Sequence, residues 1–346
     1  MSENGRMAAR SIVLVVLLAW SFPVAASERQ TRFTFSRKAM GVQFTIVLYA
    51  PEKSQANTAA GAALDRITAL DAICSDYSGT SELMKLCSRA LPGRAESISE
   101  DLARILARSQ HLARRTHGAF DVTVGPLTKL WRRARRRKVL PSARRLLQAR
   151  RAVGHAHLQV DRDGRQLIFA RAGMRLDLGG IAKGYAVDRA IEILARHGIR
   201  RAMVDGSGDI AVGDPPPGRS GWQVAVASLK NPDATPTRVL DLANTAVATS
   251  GDAYQSVTIN GRRYSHILDP RTGLGLSVSS SVTVVAPDAT TADGLASAIS
   301  VMGPVAGIEL AERTRGVQAM FVTRIDGRHR VRSTTGWSDR LPIRRP

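Results

Sequence analysis

Two side chains in the run TADGLASAISVMG, residues 291–303, have the spacing to share a cation. Asp293 and Ser297 stand four residues apart, so on a helix they occupy one face, with Leu295, Ile299 and Met302 as the opposite, buried stripe. A carboxylate and a hydroxyl so placed suit magnesium, which needs few protein ligands when phosphate oxygens complete its octahedron. The same residues fit a helix start equally well. Thr290 and Asp293 have nearly the capping-box spacing, and the helix dipole favours an acid in the first turn.

A second run, YSHILDPRTG at 264–273, places His266 three residues before Asp269 and a Pro-Arg-Thr-Gly turn. A histidine oriented by a carboxylate is what a general base requires, and a histidine that ties down a proline turn has the same sequence. Ser265 is not read as a nucleophile, because chain neighbours rarely reach triad geometry. His155 and His157 could bind a metal, but with no further nearby ligand an exposed pair is the expectation. No CxxC, HExxH or GxSxG pattern occurs.

The third run, RLDLGGIAKGYAVDRAIEIL at 175–194, puts glycines and a lysine between a strand-like stretch, Met174–Leu178, and a helical one, Ile181–His197. Ala186, Val187, Ala190, Ile191 and Leu194 form the apolar stripe, and Gly198 stops the helix. Free amides at the helix start, with Lys183 one turn in, would suit an anion. The nucleotide patterns do not fit: Gly184 follows Lys183 where a Walker sequence needs Ser or Thr, and GSGDIAVG at 206–213 misses the dinucleotide spacing. The junction therefore reads as a phosphate site or as a glycine turn packed under a helix.

The elements that must position these runs are mixed. Phe33–Tyr49 alternates as strand with a turn at Met40-Gly41, and amphipathic helices are expected over Ala56–Ile73 and Leu102–Thr116. A helix capped by Ser142 runs towards Gly154, after which short strands dominate: 158–160, 167–169, 222–227, 239–242, 257–259, 282–285 and 319–323. Helices lie early and between sheets, which predicts an α+β fold of mixed sheets flanked by helices.

The 346 residues, 44% apolar, can bury a substantial core. Arg6 and Arg10 precede the apolar run Ile12–Trp20, and Val24-Ala25-Ala26 offers a cleavage site, so residues 1–26 read as an export signal and 27–346 as the mature chain. Nine apolar residues fall short of the about 20 that span a bilayer. A periplasmic or other extracytoplasmic location follows, where Cys74 and Cys87 either pair or remain as buried thiols. The formal charge is +21. Between Leu127 and Arg151 stand eleven Lys and Arg residues and no acid. This window reads as a solvated basic face, or as a contact for anionic lipid or an acidic partner through 129–151. Nucleic acid is disfavoured by the export signal and by the single aromatic, Trp131.

The order of the motifs carries more than each motif alone. AMGVQF at 39–44, SDYSGTSEL at 75–83, GAFDVTVGPLTKLW at 118–131, RLDLGGIAKGYAVD at 175–188, DGSGDI at 205–210, ATSGD at 248–252, SHILDPRTG at 265–273 and TADGLASAISVMG at 291–303 span most of the chain. In this order they resemble the ApbE-type FAD:protein FMN transferases. The resemblance implies an FAD cleft between two lobes, with flavin contacts at Met40, Tyr77, Ala119, Phe120, Asp121, Asp177, Lys183 and Ile267. It implies magnesium ligands at the Gly180 carbonyl, Asp293 and Ser297. Val42 and Ser297 both stand where the family usually has Thr. The implied reaction transfers FMN from FAD to a Ser or Thr hydroxyl and expels AMP, with His266, held by Asp269, accepting the proton. The implied acceptor is an exported or membrane-bound redox subunit whose segment reads Asp, two variable residues, Ser or Thr, Gly, Ala or Ser, and the modified Thr. The alternative is an FAD-binding protein that hydrolyses FAD to FMN and AMP without an acceptor.

Overall fold

The computed structural model of the chain describes residues 30–226, 238–252, 255–339 and 343–344; the expected export signal lies outside them. Its centre is an eight-stranded sheet whose strands follow chain order: β1 (Thr31–Ala39), β2 (Val42–Ala50), β3 (Ala202–Asp205), β4 (Asp209–Val212), β5 (Thr245–Gly251), β6 (Ser279–Ala286), β7 (Gln318–Ile325) and β8 (Arg328–Ser333). Every neighbouring pair is antiparallel. The β1–β2 register pairs Ala39 with Val42 across the two-residue turn Met40-Gly41, in which both residues have positive φ. That is the turn chirality a tight hairpin requires.

Period-2 alternation sends the two faces of the sheet into different cores. Phe44, Ile46 and Leu48 of β2, Ala246 and Ala248 of β5, and Val282 and Val284 of β6 face the helices. Val47, Val247 and Val285 face the other way, onto a three-stranded sheet of Trp222–Val226, Arg238–Leu242 and Ile343–Arg344. β6 is buried along its whole length, which is why its apolar residues do not alternate cleanly with polar ones.

Eight helices matter here: α1 (Lys53–Cys74), α2 (Glu82–Arg89), α3 (Glu100–Arg115), α4 (Gly125–Arg137), α5 (Ala143–Arg151), α6 (Ala182–Arg196), α7 (Ala289–Met302) and α8 (Pro304–Glu312). The α+β expectation holds. Three local expectations do not. Met174–Leu178 forms no strand; Arg175 makes only an isolated parallel bridge with Val124. The basic window is not simply a solvated face, because Leu127, Trp131 and Ala134 of α4 are buried. α7 has no polar face: Thr290, Asp293 and Ser300 are buried beside Leu295, Ile299 and Val301, since sheet and helices surround it. Its amphipathic pattern was weak for that reason.

Cys74 and Cys87 are buried free thiols. Burial pushes the Cys74 thiol up to about 12, so it stays protonated. No helix among the described residues is long and apolar enough to cross a membrane.

Candidate active site

The site is built where the start of α6 meets α7. A Cβ on Gly184 would lie 2.2 Å from the Ala289 carbonyl oxygen and 2.9 Å from Asp293 Cβ, so only glycine admits this approach. The Gly184 N–H donates to Asp293 Oδ2 at 3.1 Å. Asp293 is therefore not the cap of α7. That role belongs to Asp288, whose Oδ1 accepts the Thr291 N–H at 2.8 Å. One turn further along α7, Ser297 faces Gly180: a Cβ built on Gly180 would stand 3.0 Å from Ser297 Oγ and 3.3 Å from the Phe120 ring. Ser250 Oγ lies 3.4 Å from Ser297 Oγ. Gly180, Asp293 and Ser297, expected together, are together.

Lys183 is ion-paired with Asp209 of β4. Asp293, Asp209 and Asp205 together hold the ammonium well above the ordinary lysine range, outweighing its burial. Burial raises both Asp209 and Asp293 above the usual carboxylate range, against the pull of Lys183. The expectation of free amides at this helix start is corrected. The N–H groups of Gly179, Ile181, Ala182 and Gly184 donate to Asp177 Oδ1, to Leu178 O twice, and to Asp293 Oδ2. An anion here would meet Lys183 rather than a nest of amides.

Asp177 and Asp76 share one cation. Arg132 of α4 lies 2.6 Å from Asp76 Oδ2 and 3.5 Å from Asp177 Oδ2, and its guanidinium stacks 4.1 Å from the Tyr77 ring centroid. Burial, with the Asp177 charge second, raises the Asp76 carboxyl. Tyr77 itself is 80% exposed, an open aromatic face. Ala119 and Phe120 are buried. The Asp121 carboxylate is saturated by the chain itself: Oδ1 accepts Thr123 N–H and Oγ1–H, and Oδ2 accepts His155 N–H, at 2.6–2.8 Å. Its side chain builds the loop, leaving the backbone of the run for any ligand. Met40 holds its left-handed conformation through its N–H to Asp71 Oδ2, 2.8 Å.

His266 and Ile267 come from a separate small core in which Trp131 of α4 meets the hairpins 256–265 and 268–275. Trp131 Nε1–H donates to Ser265 O at 3.1 Å and anchors the histidine loop. His266 Nδ1 lies 3.2 Å from the Gln255 carbonyl, an acceptor only, so Nδ1 carries the proton and Nε2 the lone pair. Burial lowers the imidazole pKa below its ordinary value, with Arg135 and Lys183 assisting. Asp269 does not orient His266. Its carboxylate takes the Arg271 N–H, Nε and Nη2 at 2.9–3.0 Å, because a guanidinium two residues away fits both oxygens at once. A backbone carbonyl does the orienting instead.

Asp209, Asp76, Arg132, Ser250 and Gln255 were not singled out from the sequence. Asp209 and Asp76 lie inside the motif runs, but nothing local says that a lysine 26 residues away or an arginine on another helix will neutralise them. No cluster of three His, Cys, Asp or Glu side chains able to hold a metal occurs among the described residues. The donor set suits a different kind of ion. It offers one buried carboxylate, one hydroxyl and the Gly180 carbonyl, on which no described hydrogen bond ends. Hard oxygen donors in that number suit magnesium completed by phosphate.

Residues 40–321 match the ApbE family. The FAD:protein FMN transferase of Haemophilus influenzae is 31% identical over 314 residues, covering 86% of this chain and 89% of that protein. Among solved structures, the apo flavinyl transferase ApbE of Pseudomonas stutzeri superposes with a TM-score of 0.78 at 30% identity, covering 90% of this chain and 96% of its own. The flavin transferase ApbE of Vibrio cholerae gives 0.80 at 28%, with coverage of 90% and 99%. With a match across most of its length and the same fold, the chain belongs to the ApbE family.

Proposed function

We propose that this chain transfers the FMN moiety of FAD to a serine or threonine hydroxyl of an exported or membrane-bound protein, using magnesium and releasing AMP. The observation that carries this reading is one convergence: Lys183, the Gly180 carbonyl, Asp293 and Ser297 come together where α6 meets α7. Lys183 supplies a fixed cation for the pyrophosphate. Asp293, Ser297 and the Gly180 carbonyl would hold a magnesium ion, which when bound would supply positive charge to the pyrophosphate. The exposed Tyr77 ring, backed by Arg132, offers a stacking face for the flavin.

The acceptor hydroxyl attacks the FMN-side phosphorus, a new P–O bond forms, and the P–O bond to AMP breaks. The hydroxyl proton goes to His266 Nε2, which the lowered pKa keeps free to accept it near neutrality. Asp269 takes no part; with Arg271 it fixes the turn.

In this reading the reaction takes place outside the cytoplasm, supported by the charged and apolar pattern of residues 1–26. α5 has no buried residue and exposes Leu147 among Arg144, Arg145, Arg150 and Arg151, which suits contact with an anionic membrane surface near a membrane-bound acceptor.

The test uses the mature chain with FAD, magnesium and an exported acceptor bearing the Thr segment. Covalent flavin fluorescence on the acceptor's final Thr, with AMP released, is expected. Asp293→Ala should abolish it and Ser297→Thr, which keeps the hydroxyl, should not. AMP without labelled acceptor would make the chain a hydrolase, and label on this chain alone would overturn the acceptor assignment.

A further inference from the structure

A cavity of about 640 Å³ opens between α3, α6 and α7, on the side of α6 and α7 turned away from the flavin site. Ile181 and Tyr185 sit two residues either side of Lys183, and Thr291 and Leu295 two residues either side of Asp293, which places them about half a turn around their helices. The volume falls in the range of small-molecule sites. We propose that this cavity binds a phosphomonoester with an apolar, ring-sized body, independently of the flavin-transfer reading.

The rim is cationic by construction. Arg104, Arg108, His111 and Arg115 follow the spacing 4, 3, 4 on α3, so they form one stripe, and Arg162 and Arg189 converge on it from other parts of the chain. Among the described residues no carboxylate lines the cavity. Glu100, Asp288 and Glu192 pair with Arg104, Arg108 and Arg189 from outside it, and Asp163 lies 3.5 Å from Arg162. Among the described residues Arg115 is bonded to the Thr314 hydroxyl alone, at 2.6 Å. Arg189 keeps a buried Nε–H with no acceptor among the described residues, a donor that burial otherwise penalises. Four of these arginines are thus balanced by carboxylates, and a phosphate at the rim would accept the donors left over on Arg115 and Arg189.

The floor is of the opposite character. Leu112, Ile181 and Leu295 are apolar, and the Tyr185 ring carries the Arg189 guanidinium 5.0 Å from its centroid while its hydroxyl is turned to Asp101, 2.9 Å away. Phosphate at the rim and a ring on the floor is the ligand chemistry this combination fits. A free nucleotide or an anionic lipid headgroup could supply it.

Isothermal titration of the whole mature chain with phenyl phosphate, inorganic phosphate and phenol tests the assignment. Phenyl phosphate should bind at least tenfold tighter than either fragment. Arg115→Glu, and separately Arg162→Glu on the exposed rim where folding is not at stake, should each weaken it at least tenfold with flavin transfer unchanged. Asp293→Asn should leave it unaltered. AMP binding tighter than dihexanoyl phosphatidic acid would assign a soluble nucleotide, and the reverse order a lipid headgroup. Absent binding, equal affinity for phosphate and phenyl phosphate, or affinity lost in Asp293→Asn but kept in both arginine variants would overturn it.

Discussion

The Lys183 ammonium and the Asp209 carboxylate form an ion pair in which the acid is 4% exposed, and Asp293 lies close enough to raise both partners' pKa values. Two buried acids and one half-buried base thus meet, with Asp205 beyond them, and the excess of acid is what a divalent cation at Asp293 would offset.

Asp209→Ala should destabilise the chain by less than the about 3–5 kcal/mol of a fully buried pair, since it leaves a half-buried Lys183, 28% exposed, without its nearest partner. Lys183→Met combined with Asp209→Leu should recover most of that loss, because an apolar pair avoids both desolvation costs. Urea unfolding of the single and double variants checks this. A double variant as unstable as Asp209→Ala alone would contradict the pair as described.

His266→Ala should slow the chemical step by about 10²- to 10⁴-fold, the usual range for a positioned base, with FAD affinity little changed. Asp269→Ala should cost far less, because its carboxylate holds Arg271 and not the imidazole. The acid limb of the rate profile should fall below the ordinary histidine pKa, since burial lowers it: the base is lost only as pH drops through that lowered value. Single-turnover rates across pH for the wild type and both variants decide it.

The two outcomes show what could be read from the chain alone. His266 was legible because YSHILDPRTG is a local motif, and its orienting group was not, because Gln255 acts through a backbone carbonyl that any residue would provide. Asp293 and Ser297 were legible through i, i+4 spacing, but whether Asp293 caps its helix depends on Asp288, five residues upstream, taking that role first. Alternation made β2 legible as a strand, whereas no strand was expected at β5, where Ala246, Val247 and Ala248 are all buried. β6 and α7 were harder, since burial on all sides erases the contrast that periodicity reads. Trp131 was hidden for the opposite reason: eleven surrounding cations masked a buried helix face.

Asp188 provides a pH-dependent clamp between α6 and α7. Its carboxylate accepts the N–H groups of Ala289 and Thr290, at 2.7 and 2.9 Å, and the Thr290 hydroxyl. Burial nevertheless pushes it up to about 6 from an ordinary value of 3.8. The folded pKa is raised, so the protonated group's stabilisation is complete below about pH 4 and is lost as pH rises through about 6. Relative to Asp188→Asn, which does not titrate, the wild type should lose up to about 3 kcal/mol between pH 4 and 7. Unfolding free energies of both proteins across that range test it. A difference independent of pH would mean that the three donors hold Asp188 ionised throughout.

Gly184→Ala is the sharpest test of how the site is positioned. The added methyl would stand 2.2 Å from the Ala289 carbonyl oxygen, and both atoms belong to helix backbones or their first carbon, so no side chain can turn aside. α6 and α7 must separate, which breaks the Gly184-to-Asp293 hydrogen bond and strains the Asp188 clamp together. Overpacking of this kind costs about 1–3 kcal/mol and can cost more when backbone must move. Gly180→Ala meets the Ser297 hydroxyl at 3.0 Å, and that side chain can rotate. The expected order is therefore a large loss of thermal stability and of the turnover proposed to need magnesium in Gly184→Ala, and a selective loss of turnover with little change in stability in Gly180→Ala. Differential scanning calorimetry beside a magnesium titration of the rate separates the two. Should Gly184→Ala melt like the wild type, the close approach of α6 to α7 is not what holds Asp293 in place.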